Sequence, residues 1–163
     1  MSQENVEIVR LATEPHEGED MVPVMRDGLG GIVDWSDTDA VVAAMAQDPK
    51  VRPMHPDVEW DASAIGVFRV AHGLYGLAHG LYGLALFWRE WVELWESYVY
   101  EMREYRDLGD WVLTINDAKA RGRGGIPVET PVFQLWEVRD GKIVTVRLFG
   151  SEAEALKAVG LEA

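Results

Sequence analysis

At Ser97 the spacing of apolar residues changes from helical to alternating, and this change constrains the fold more than any other feature of the chain. Before it, Trp88, Trp91 and Trp95 recur at steps of three and four, as on one helix face. After it, Tyr98, Tyr100 and Met102 alternate with Val99, Glu101 and Arg103, which predicts a half-buried strand over residues 98–106. Leu108-Gly109-Asp110 turns the chain into a second strand over 111–119. A glycine-rich tip leads to a third strand over 128–138. Asp140-Gly141 is a strong tight-hairpin signal, and residues 143–149 complete a four-strand meander. Ser151-Glu152-Ala153-Glu154 then reads as a capping box for a short helix closed by Gly160.

The first part of the chain reads as helices. Ser2 is placed to cap the first, whose stripe is Val6, Val9 and Ala12, and Glu14-Pro15 ends it. A second helix is predicted over 20–29, stopped by Gly30-Gly31. Ser36 or Asp37 caps a third with Val41 and Met45 on its buried side. Pro49, Pro53 and Pro56 break the chain before a short strand over 58–62. Residues 71–77, Ala-His-Gly-Leu-Tyr-Gly-Leu, are then repeated unchanged as 78–84. Seven residues make two helical turns, so a helix keeps its face through such an insertion. The phase puts Ala71, Ala78, Ala85 and Val92 on one line and Leu74, Leu81, Trp88 and Trp95 on the next. A helix from 84 to 95 is predicted, extending back over 71–83 despite Gly73, Gly76, Gly80 and Gly83, each of which costs about 1 kcal/mol relative to Ala.

Composition closes off several functions. A net charge of −13 argues against a nucleic-acid surface, which needs clustered Lys and Arg. The basic cluster Lys119, Arg121 and Arg123 sits among glycines and reads as a solvated hairpin tip. The chain has no cysteine, so disulfides, thiolate chemistry and cysteine-bound zinc are excluded. Residues 70–88 carry no Asp, Glu, Lys or Arg, but their glycines, histidines and tyrosines argue against a membrane span. The first residues lack a basic start and an apolar run, so no secretory signal is read and a cytoplasmic location is expected. His72 and His79 fall two turns apart on a helix, too far to share one metal, and no metal or cofactor is expected.

Helices followed by a meander make an α+β chain, read as one domain over residues 1–163. An ordered set of segments resembles the SnoaL-like proteins of the nuclear-transport-factor-2-like, or ketosteroid-isomerase-like, superfamily. They are residues 2–10 (Ser-Gln-Glu-Asn-Val-Glu-Ile-Val-Arg), 55–60 (His-Pro-Asp-Val-Glu-Trp), 87–91 (Phe-Trp-Arg-Glu-Trp), Leu108-Gly109-Asp110, and 139–144 (Arg-Asp-Gly-Lys-Ile-Val). Against that family, residues 14–54 form an enlarged helical segment, and the tandem heptad at 71–84 is an addition. The resemblance implies a cone: a curved antiparallel sheet wraps a deep apolar pocket, which the N-terminal helices and a long helix close. It also implies a homodimer. The family includes isomerases, polyketide cyclases, dehydratases, epoxide hydrolases and non-catalytic binders, so the fold does not select a function.

The residue types at the family's functional positions are unusual. The isomerase pattern, a carboxylate base with acidic donors, falls on Ala12, Trp60 and Gln134. Asp61, beside Trp60, is the remaining candidate for a base, with a capping or solvent-facing role as its competitor. The epoxide-hydrolase relay falls on Asn116, Ala118 and Leu148, none of the required type, while Asp117 and Arg147 are expected to face the other side of the sheet. Strand parity places Thr114, Asn116 and Ala118 beside Gln134, Trp136 and Val138 on the concave face. Trp60, Trp88 and Trp136 are candidates for the pocket wall, with core packing as the competing account. Asn116 and Gln134 are candidates for orienting a ligand; bonds to neighbouring side chains or water would satisfy them equally. Two functions follow. One is a binder of a small apolar molecule, with lyase or isomerase chemistry on a polycyclic or terpenoid-like substrate if it is an enzyme. The other is a non-catalytic dimerisation or partner-binding module whose pocket is filled.

Overall fold

The computed structural model of the chain describes residues 2–64 and 77–161, with Ser2 and Leu77 through their backbone alone. The Ser2 cap, residues 71–76 of the first heptad copy and the His72–His79 pairing therefore lie outside the described residues.

Three helices come first. Helix α1 (Ser2–Thr13) buries Val6, Val9 and Ala12, the predicted stripe. Helix α2 (Met21–Gly30) is capped by Asp20, whose Oδ1 accepts the Val22 N–H and also the Tyr98 N–H of the sheet. One carboxylate oxygen thus starts a helix and docks it. Asp37, not Ser36, caps α3 (Thr38–Met45) through the Ala40 N–H.

The sheet contains β1 (Met54–Asp61), β2 (Leu77–His79), β3 (Trp95–Asp107), β4 (Trp111–Gly122), β5 (Pro127–Arg139) and β6 (Lys142–Phe149). Its order is β2-β1-β6-β5-β4-β3. Strands β3 to β6 form the predicted antiparallel meander. Asp140 (φ 50°) and Gly141 (φ 76°) make its last turn in the left-handed region that a two-residue hairpin requires. Beyond the meander the sheet is mixed, because β1 joins β6 in parallel. Register shifts between Met102 and Glu104 and between Glu137 and Val138 mark bulges, which bend the strands.

The duplicated heptad departs from expectation. Leu77–His79 is a strand antiparallel to β1, and helix α4 (Gly80–Val92) starts only at Gly80. Gly80 takes φ 73°, a conformation that favours glycine, and this breaks the continuous helical seam. From there the seam holds, with Leu81, Leu84, Ala85, Trp88 and Val92 buried. The helix also stops before Trp95, which opens β3 instead of closing the helical tryptophan line.

Alternation along the strands separates two cores. The concave face packs Val112, Trp136, Val138 and Val146 against the helices. The convex face packs Leu113, Leu135 and Phe149 under Ala155 of helix α5 (Glu152–Ala158). Ser151 caps α5 through the Glu154 N–H, as the capping box predicts. The free edge of β3 is covered by the α1–α2 loop: Gly18 N–H donates to Tyr100 O at 3.0 Å, and Glu17 Oε2 accepts Met102 N–H at 2.6 Å. Among the described residues no helix is long and apolar enough to cross a membrane.

Candidate ligand pocket

The concave face and the helices enclose a cavity of about 310 Å³. That lies at the lower end of the roughly 300–1,000 Å³ of ligand pockets. The period of two decides its sheet wall: Asn116, Ala118 and Ala120 of β4 stand beside Val132, Gln134 and Trp136 of β5. Met21, Met25, Phe87, Trp88 and Trp91 form the helical wall.

Trp60, Trp88, Asn116, Gln134 and Trp136, named from sequence, all line this one cavity. Trp60 stands edge-on to both other rings, with centroids 5.8 Å from Trp88 and 6.3 Å from Trp136. Ala12, Ala118 and Leu148 line it too, so the family's functional positions face inward while carrying no acid or base. Asp61 does not line it. Its Oδ1 accepts the Ser63 backbone N–H at 2.9 Å and hydroxyl at 2.5 Å, and its Oδ2 lies 3.9 Å from Arg147 Nε. Asp61 caps a turn outside the cavity lining, where it does not face a substrate as a base would. Asp117 pairs with Arg103, which holds its carboxyl below the usual range, and Arg147 lies over the Phe149 ring; neither lines the cavity.

The amides form a chain with a fixed direction. An indole N–H can only donate, so Trp136 Nε1 donates to Thr114 Oγ1 at 2.8 Å. The Thr114 hydroxyl then donates to Gln134 Oε1 at 3.4 Å, and Asn116 Nδ2 donates to the same oxygen at 3.2 Å. Two results follow. Gln134 turns its amide nitrogen away from the chain. Asn116 Oδ1 is left buried with no hydrogen-bond partner, as are Trp60 Nε1 and Trp95 Nε1. Buried polar atoms are normally paired, so these unmet atoms stand out on the wall.

Sequence reasoning missed Lys50. It is 9% exposed, lines the cavity, and holds its Nζ 5.1 Å from the Trp88 ring centroid. Burial lowers its pKa from the ordinary value, with Asp48 opposing weakly. Asp48 Oδ1 is occupied by the Lys50 backbone N–H at 2.8 Å, and no described carboxylate pairs with Nζ. Nothing in the loop between Pro49 and Pro53 marks this lysine as inward. Tyr98 and Tyr100 also line the cavity. Burial pushes Tyr98 up to about 12 and, with help from Glu17, raises Tyr100 further, so both remain neutral phenols near pH 7. The Tyr100 hydroxyl is already engaged, its proton shared between Thr13 O at 2.5 Å and Pro15 O at 3.1 Å. No carboxylate is among the described lining residues, so the wall offers donors, aromatic faces and one amine.

Solved structures share this fold. TerC, crystallised with polyporic acid, superposes with a TM-score of 0.57 at 21% identity, covering 78% of this chain and 96% of that one. A protein described as a SnoaL-like polyketide cyclase from Jannaschia sp. CCS1 gives 0.57 at 16% identity, covering 99% and 95%. A protein of ketosteroid isomerase-like fold from Catenulispora acidiphila DSM 44928, in complex with trimethylamine, gives 0.52 at 16% identity, covering 77% and 93%. No curated protein matches the chain. The SnoaL-like domain matches residues 34–146, which takes in α3, the whole of β1 to β5 and most of β6. With that match over most of its length and the cone built as the family builds it, the chain belongs to the SnoaL-like domain family.

Proposed function

We propose that the chain binds a small, mainly apolar ring compound in this cavity, with Trp60, Trp88 and Trp136 as its walls and Asn116 and Gln134 orienting it. Membership of the SnoaL-like family supports a small-molecule-binding domain. The observation that carries the finer reading is the buried, unpartnered Asn116 Oδ1 in an aromatic cavity. It accepts a hydrogen bond from a ligand hydroxyl or N–H, while the Gln134 amide nitrogen donates. TerC, crystallised with polyporic acid, is a neighbour of the same fold and brings an organic ring compound into the comparison. If chemistry follows binding, it is a lyase or isomerase step on a polycyclic or terpenoid-like substrate. Rate would then come from orientation and from the wall's donors, without a carboxylate base. We also propose that the chain forms a homodimer; light scattering that shows a monomer at every concentration would overturn this.

A thermal-shift panel of polycyclic and terpenoid compounds tests the reading. Stabilisation by several ring compounds is expected, weakened in Asn116→Leu for those that carry a hydroxyl. A panel in which no compound raises Tm would sink the binding reading. It would favour a partner-binding module instead.

A further inference from the structure

Lys50 is the one group on the described wall that can carry a positive charge. Its position is unusual in three respects. The side chain is almost fully buried in a cavity lined by tryptophans and methionines. Its Nζ faces an aromatic ring, a contact that favours the ammonium form. Yet among the described residues no carboxylate lies in ion-pair contact with it, in a chain whose net charge is −13. A buried lysine without a counter-ion is costly, because the ammonium has lost its water and gained no anion. Asp48, the acidic residue that acts on it, accepts the Lys50 backbone N–H and forms no ion pair with Nζ. The missing counter-ion is therefore the feature that a ligand can supply.

We propose that the pocket takes an organic acid, a ring body carrying one anionic oxygen group that pairs with Lys50. This inference rests on the ligand-pocket reading above and names the ligand class for that site. The rest of the wall agrees with it. Trp60 Nε1 and Trp95 Nε1 are unmet donors, and the Gln134 amide nitrogen is directed away from its own chain, so the polar groups still free are mostly donors. No described lining residue is an Asp or Glu. The aromatic rings accept the apolar body.

The test uses matched probe pairs read by quenching of the wall tryptophans. They are 2-naphthoate with 2-naphthamide, and 1-pyrenecarboxylate with 1-pyrenemethanol, each measured on the full chain and on Lys50→Met and Lys50→Arg. In the parent protein the acids should bind roughly ten- to hundredfold tighter than their neutral partners, the size of one charge-assisted hydrogen bond. Lys50→Met should abolish that preference, lowering affinity for the acids at least tenfold more than for their neutral partners, and Lys50→Arg should keep part of it. Equal binding of acid and neutral probes overturns the role of Lys50 but leaves the pocket reading standing. So does an acid preference that survives in Lys50→Met. If no probe of either kind binds to any of the three proteins, both readings fall.

Discussion

On the sheet wall, Thr114, Gln134, Asn116 and Trp136 hold one another's hydrogen bonds, whereas Lys50, against Trp88 of α4, is held by none. Both regions put polar atoms into the same apolar cavity. The first nearly satisfies itself and leaves a single acceptor over. The second leaves a buried amine with no carboxylate paired to it. A satisfied network contributes to the wall's own stability, while an unsatisfied group only costs stability until something binds it. The contrast predicts opposite responses to substitution, and the wall between the two regions should respond most.

Trp88 joins them, since its ring carries Lys50 on its face and makes a T-shaped pair with Trp60. It is also 7% exposed and belongs to the main core. Trp88→Ala should cost about 3–5 kcal/mol of unfolding free energy, measured by denaturant titration. A loss below about 1 kcal/mol would mean that the cavity collapses freely and that its walls are not rigid.

Next in size is the link at the centre of the amide chain. Thr114 is fully buried, accepts from Trp136 and donates to Gln134. Thr114→Val keeps the shape and removes both bonds, leaving an indole N–H without a partner. The expected cost is about 1–3 kcal/mol. If Thr114→Val is neutral, water already serves Trp136 and the chain does not set the direction of Gln134.

The two regions also differ in how far sequence reveals them. The amide wall is written in the period of two, which assigns Asn116, Ala118, Gln134 and Trp136 to one face once the hairpins are placed. The Asp140-Gly141 turn and the capping residues Asp37 and Ser151 are equally local signals. Lys50 is not local in this sense. Its burial comes from the packing of a proline-rich loop against α4, and no periodicity runs through that loop. The β1–β6 parallel pair is hidden for the same reason, since it joins residues far apart in the chain with no turn between them. Reading helix across 77–79 failed because heptad phase ignores what an open strand edge offers; β1 captured those residues, and Gly80 allowed the reversal.

Lys50→Met should move stability the other way. Met matches the stem's volume and removes the buried amine, so a gain of about 1 kcal/mol is expected near pH 7. The pH dependence identifies the cause. Burial lowers the folded-state pKa of Lys50 from its ordinary 10.5, so between the two values the unfolded chain binds more protons. Stability of the parent protein therefore rises with pH in that window, and the advantage of Lys50→Met should shrink as pH approaches 10.5. Tyr98, Tyr100 and Tyr105, whose pKa values are raised, act with the opposite sign at high pH, but they are common to both proteins and cancel in the difference. An advantage that stays constant with pH would assign the gain to packing alone.

The smallest effect is expected at Asn116, where the two kinds of region meet in one side chain. Its Nδ2 belongs to the satisfied chain and its Oδ1 does not. Asn116→Leu loses one bond to Gln134 and removes one buried, unpaired oxygen, and these changes offset each other. Net stability should stay within about 1 kcal/mol of the parent. Gln134 keeps its Thr114 partner, so the chain's direction survives. Denaturant titration and ligand binding should then separate: little change in the first, and loss of affinity in the second for ring compounds that carry a hydroxyl or N–H. If stability falls by more than about 2 kcal/mol, a buried water already satisfies Oδ1 and the oxygen serves the wall. If stability holds and hydroxylated ligands bind as before, Asn116 is part of the wall with no role in orientation. Only the separated outcome makes this oxygen a counterpart of Lys50, with each region of the cavity leaving one group for the ligand to complete.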